Sequence, residues 1–98
     1  MKVKGSFKEL KKLKIAQHRA DVNIGKLGLH EGVVEEIKRR LKDHGIVKIR
    51  ILKSARNIVS GDDVKKLAEL LNAFLADERG YTYVLISRKR EKKARKGI

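Results

Sequence analysis

Val22-Asn23-Ile24-Gly25-Lys26-Leu27-Gly28-Leu29 is the stretch from which the fold can be read. Val22 and Ile24 flank a polar Asn23, and with Asp21 before them they alternate as a short half-buried strand does. Two glycines three apart follow. Such a pair lets the backbone turn tightly or go left-handed and approach a ligand closely. The amides opening the next helix, backed by its dipole, favour an anion there, and Lys26 adds a full positive charge. The loop therefore reads as a phosphate-contacting loop, although the same GxxG also fits a plain strand-to-helix turn. Its neighbours decide between the two.

Downstream, Glu31 to His44 carries Val33, Val34, Ile37 and Leu41, the spacing of a helix with one buried face. Lys38, Arg39, Arg40 and Lys42 lie opposite, with Glu31, Glu35 and Glu36 in the first half. Acids at the start and bases at the end suit the helix dipole, so stability alone explains part of this order. Gly45 is placed to stop the helix in a left-handed conformation. Ile46 to Leu52 then alternates, with Val47, Ile49 and Ile51 on one face and Lys48 and Arg50 on the other, which predicts a strand with a polar side.

Lys53 to Val59 reads as a connector bearing Lys53 and Arg56. Ser60 with Asp63 three on predicts a capped helix start, Val64, Leu67, Leu70 and Leu71 its apolar stripe, and Asn72 its left-handed end. Phe74 to Glu78 extends this helix or forms a strand turning near Gly80 into Tyr81-Thr82-Tyr83-Val84-Leu85-Ile86-Ser87. Periodicity does not choose, whereas the second segment is strand-like in its β-branched and aromatic content.

Upstream, Ser6 to Ala16 predicts a helix with Phe7, Leu10 and Leu13 as its stripe, a capping box from Ser6 and Glu9, and a basic outer face of Lys8, Lys11, Lys12 and Lys14. Gln17 to Ala20 connects it to the first strand. The far end, 88–98, reads as a flexible basic arm beyond a domain spanning 1–87. Seven of the nine residues from Arg88 to Lys96 are basic and no apolar stripe runs through them.

With 98 residues the chain holds one core. Lys and Arg number 26 against 12 Asp and Glu, a net charge of +14, and repulsion on this scale is naturally met by a polyanion such as nucleic acid. A membrane surface is the rival partner, but the two Phe and two Tyr are scattered rather than gathered on one amphipathic helix. There is no cysteine, no apolar run of membrane-spanning length and no signal-peptide pattern at Met1 to Gly5, which together read as a cytoplasmic protein without disulfides.

From Val22 to Arg50 the chain resembles the CRM domain, the chloroplast RNA splicing and ribosome maturation domain of the YhbY-like proteins. That signature is an apolar strand, Ile-Gly-Lys-x-Gly-Leu, an acidic helix start, and a strand of the Ile-Lys-Val-Lys type. Here it stands as Val22 to Leu29, then Glu31, Val33, Val34, Glu36 and Ile37, then His44 to Arg50. The resemblance implies an α+β domain with a four-stranded mixed sheet and three helices in the order α-β-α-β-α-β-β, similar to the C-terminal domain of translation initiation factor 3. It also implies the strand reading of Phe74 to Glu78. Departures are His30 where the family has a capping Ser or Thr, the polar Asp77 and Glu78 in the third strand, and Gly32, whose reading is close backbone approach to a ligand. A KH domain shares the basic GxxG, but wants an aliphatic residue where this chain has Glu31.

The resemblance implies binding of RNA, in particular ribosomal RNA or a precursor of the large ribosomal subunit, gripped through its backbone. The expected contacts are Gly25, Lys26, Leu27 and Gly28 in the loop, with Lys38, Arg39, Lys42, Lys48 and Arg50 around it and Arg88, Lys89 and Arg90 in the arm. Within the loop, Lys26 and the amides near Gly25 and Gly28 are expected to touch RNA, with Leu27 and Leu29 turned to the core. A general architectural or DNA-binding protein is the alternative, and a ribonuclease a more distant one. No enzyme signature appears: His18, His30 and His44 have no metal-ligand spacing, Asp62 and Asp63 fit a helix start, and the loop lacks the Walker A pattern. No cofactor and no small-molecule substrate is expected.

Overall fold

The computed structural model describes residues 7–16 and 19–88, with side chains from Lys12 onward within the first helix. The elements are α1 (Phe7–Ala16), β1 (Val22–Ile24), α2 (Glu31–His44), β2 (Ile46–Ile51), α3 (Gly61–Leu70), β3 (Ala73–Arg79) and β4 (Thr82–Ser87), with a single 3-10 turn at Lys53–Ala55. The four strands form one sheet in the order β1-β2-β4-β3, parallel between β1 and β2 and antiparallel elsewhere. This is the mixed sheet and element order implied by the CRM resemblance. The capping box at Ser6 and Glu9 lies outside the described residues, as do the side chains of Phe7 and Leu10.

The sheet is built on β2. Val47, Ile49 and Ile51 point to one side and are fully buried with Val22 and Ile24 of β1, Tyr83 and Leu85 of β4, Ile37 and Leu41 of α2, and Val64, Leu67 and Ala68 of α3. Burying each large aliphatic side chain contributes about 1.5–3 kcal/mol, so this side supplies most of the driving force. The other side of β2 is not the solvated face that the alternation predicts. Ile46, Val84 and Ile86 form a second cluster with Ile15, Phe74 and Ala76, and α1 packs across β2 and β4 there. The sheet is thus covered on both sides.

One acidic residue fastens α1 down. Asp21 Oδ2 lies 2.9 Å from Lys14 Nζ and accepts the Lys48 amide at 2.9 Å, and the Asp21 amide donates to the Lys48 carbonyl at 2.8 Å. Lys14 therefore belongs to an ion pair rather than to a free basic outer face. Leu13 is exposed and Ile15 is the packed residue of this turn, so the stripe drawn through Leu13 is misplaced. In α3 the buried set is Val64, Leu67 and Ala68 with half-buried Leu71, and Leu70 faces solvent. At about 100° per residue, Leu70 falls about 100° from the middle of that set.

Phe74 to Glu78 is strand, and its missing periodicity has a cause. Leu75 pairs with Leu85 and Asp77 with Val84, leaving Ala76 as an extra bulged residue that shifts the alternation by one. As one of the two edge strands, β3 keeps Asp77 and Glu78 at its far end, where charges also discourage edge pairing with another chain.

Helix ends follow the sequence closely. Asp63 N–H donates to Ser60 Oγ at 3.4 Å and Ser60 N–H to Asp63 Oδ2 at 2.8 Å, a complete capping box. Gly45 (φ 79°) and Asn72 (φ 57°) are left-handed, as expected of helix terminators. His30 caps α2, its Nδ1 accepting the Gly32 amide at 3.1 Å. A Cβ on residue 32 would come within 2.9 Å of His30 Cε1, so Gly32 makes room for the capping imidazole rather than for a ligand.

Candidate nucleic-acid interface

The Gly25 to Gly28 loop is a four-residue turn closed by the Gly28 amide donating to the Gly25 carbonyl at 2.8 Å. Gly28 is left-handed (φ 66°), and a Cβ there would meet Ile58 Cδ1 at 3.4 Å and Val59 Cγ2 at 3.5 Å. This glycine is required by the fold. Gly25 is not: its φ is not positive, and the nearest atom to an added Cβ is Leu52 Cδ1 at 4.0 Å. The Leu52 amide, donating to the Ile24 carbonyl at 2.9 Å, holds the base of the turn against the end of β2.

Lys26 and Leu27 form the exposed tip. Leu29 packs against the core as expected, but Leu27 is 73 % exposed, because the turn closes through Gly28 and leaves residue 27 outside. The anion-binding amides are fewer than the sequence suggests. Gly28 uses its own within the turn, Gly32 gives its own to His30, and Glu31 already sets a carboxylate at the positive end of α2. What the turn offers an anion is the Lys26 ammonium on a close-packed backbone.

The other expected contacts fall into separate groups. Lys38, Arg39 and Lys42 are exposed on the outer side of α2, where Arg39 is ion-paired with Glu36. The second Glu36 oxygen accepts from Arg40 Nε at 2.8 Å, so this carboxylate serves two guanidiniums. Arg50 is exposed on the opposite side of the sheet, the side of α1. Lys48 does not join it. It is 7 % exposed and its Nζ donates to the Ile15 carbonyl at 3.1 Å, at the negative end of α1. The polar side of β2 is polar because it serves α1, and Lys48 is a structural residue. Arg88 is exposed, its guanidinium 5.5 Å from the Phe74 ring centroid, and its amide donates to the Asn72 carbonyl at 2.9 Å. Lys89, Arg90 and the rest of the arm lie outside the described residues.

The structure gathers residues that spacing had not joined. The carboxyl ends of β1 and β2 and the β3–β4 turn share one end of the sheet, since Arg50 pairs with Thr82 and the Ile51 amide donates to the Tyr81 carbonyl at 2.8 Å. Lys53 and Arg56 follow β2 directly and are exposed there. Tyr81 stands half-exposed in the turn with Arg56 Cζ 3.9 Å from its ring centroid. The only available signal for this cluster was a basic connector directly after an alternating strand. Tyr83 is core, and burial, with help from the Glu78 carboxylate and from Tyr81, raises its hydroxyl pKa above the usual 10.0.

Among the described residues no three of His, Asp or Glu come together as a metal site, and no helix is long and apolar enough to cross a membrane. No curated protein matches the chain significantly. Among solved structures it is similar to the hypothetical protein SAV1595 from Staphylococcus aureus, described as a candidate RNA-binding protein. The identity is 25%, the match covers 82% of this chain and 81% of that one, and the TM-score is 0.56. The CRS1 / YhbY (CRM) domain model matches residues 6–86, which is most of the chain, and the protein accordingly belongs to the CRS1 / YhbY (CRM) domain family.

Proposed function

We propose that this protein is a non-enzymatic RNA-binding module that grips the phosphate backbone through the Gly25 to Gly28 turn, with ribosomal RNA of the maturing large subunit as its target. Family membership and the likeness to a candidate RNA-binding protein support the RNA partner. The observation that carries the role of the turn is the contrast between its glycines. Gly28 is explained by its left-handed φ, whereas neither a positive φ nor a clash requires glycine at Gly25, where an added Cβ would only touch Leu52 Cδ1 at 4.0 Å. A bare backbone beside an exposed lysine is what close approach of a phosphate needs.

The experiment is RNA binding and thermal stability measured on three variants. Lys26→Ala weakens binding and leaves stability unchanged within about 0.5 kcal/mol, as for an exposed loop side chain. Gly25→Ala folds normally and also weakens binding. Gly28→Ala costs about 1–2 kcal/mol of stability, because the new side chain is held left-handed against Ile58. Unchanged binding by both Lys26→Ala and Gly25→Ala would reduce the turn to a connection, and equal affinity for duplex DNA and structured RNA in competition would favour a general architectural role.

A further inference from the structure

The proposed grip on phosphates leaves three exposed side chains at the same end of the sheet unexplained. Leu27 is 73 % exposed, Ile58 57 % and Tyr81 46 %. They sit on rigid supports. Ile58 belongs to a connector pinned by buried Ala55 and Val59, with its amide donating to the Ala55 carbonyl at 3.0 Å. Its Cδ1 lies 3.4 Å from the Cβ position of Gly28, beside the GxxG turn that carries Leu27. Tyr81 is tied to the end of β2 through its carbonyl and carries the Arg56 guanidinium over its ring at 3.9 Å.

We infer that Tyr81 and its stacked Arg56, at the same end of the sheet as the exposed Ile58 and Leu27, form a platform for an unpaired nucleobase of single-stranded RNA whose backbone lies at Lys26. This rests on the RNA-binding function proposed above and adds a base contact to it. The chemistry fits one occupant. A flat aromatic-guanidinium pair stacks on the π-face of any base, and Ile58 and Leu27 offer exposed apolar surface at the same end of the sheet. The exposed cations Lys26 and Lys53 at the same end of the sheet suit the phosphates on either side of that base. Stacking does not distinguish bases strongly, so the platform selects unpaired over paired RNA rather than one sequence.

The test compares two labelled single strands of about ten nucleotides, one carrying bases throughout and one abasic at its central positions, at a fixed moderate salt concentration. Wild type binds the base-bearing strand more tightly. Tyr81→Ala loses about 5- to 100-fold on that strand and little on the abasic one, and Tyr81→Phe keeps the preference. Arg56→Lys keeps the charge but loses the plane, and it reduces the preference without abolishing binding. Circular dichroism establishes that each variant is folded. Wild-type affinity that is equal for the two strands, or a Tyr81→Ala loss that is equal on both, would overturn the platform while leaving phosphate binding in place. Absence of wild-type binding to either strand would instead overturn the RNA-binding function itself, and the platform with it.

Discussion

Tyr83 links the core of this domain to its pH response. Its ring is 3 % exposed among Val47, Ile49 and α3 neighbours of the main core, and its hydroxyl oxygen would lie 3.1 Å from a Cβ on Gly61 and near Glu78. Burial and the Glu78 carboxylate both oppose ionisation, which is why the pKa is raised above 10.0. The folded chain therefore holds this proton more tightly than the unfolded one. The contribution is fully present below the unfolded value of about 10 and is lost as pH rises through the higher folded value. Tyr83→Phe, which has no proton to lose, should show a shallower fall in urea-unfolding stability between about pH 9 and pH 11 than wild type. Parallel curves for the two proteins would mean that other groups govern the alkaline limb.

At the scale of elements, the attachment of α1 depends on a polar contact as much as on apolar packing. Asp21 accepts from Lys48 N–H and pairs with Lys14, and Lys48 Nζ in turn donates to the last turn of α1. Replacing Asp21 by Ala leaves the partly buried Lys14 ammonium without its carboxylate and the Lys48 amide without its acceptor, at a cost of about 2–3 kcal/mol. Because α1 is joined to the sheet here, hydrogen exchange in Phe7–Ala16 should accelerate more than exchange in α2 or α3, and a uniform acceleration would mean that α1 does not open on its own. The same contact explains what the sequence left illegible. The helix Glu31–His44, the strand from Ile46, the Ser60 box and the Gly45 stop are local signals and stand where spacing puts them. Which face of β2 meets solvent is not local. It depends on α1 arriving from more than thirty residues away, and so Lys48 reads as a surface cation when it is a buried donor. The β3 bulge hides a strand by breaking its period at Ala76, and the Tyr81–Arg56 pair joins residues from separate turns. The family resemblance, resting on Val22 to Arg50, supplied β3 where periodicity could not.

For the molecule as a whole, the charge balance sets two properties that salt should move in opposite directions. Of the 12 acidic residues, Asp21, Glu36, Asp63 and Asp77 are engaged in ion pairs or a helix cap, and 26 Lys and Arg leave a net charge of +14. Without a polyanion these charges repel one another across the folded surface. Raising salt from about 0.05 to about 0.3 M shortens the screening length below about 10 Å and relieves that repulsion. The free protein should then melt several degrees higher, since about 1 kcal/mol shifts the midpoint of a domain this size by about 4–8 °C. RNA binding should respond with the other sign. If about six to ten phosphates are contacted, affinity falls by several orders of magnitude over a comparable range, because the counterions released on binding return less favourably to a salty solution. Measured on one sample, a rising melting temperature beside a falling affinity identifies the charge as an RNA-binding device that costs stability in the free protein. A melting temperature that falls with salt would mean instead that attractive pairs such as Lys14–Asp21 dominate the folded state. An affinity indifferent to salt would mean that phosphates are not what the protein grips, and would overturn the proposed role of the turn.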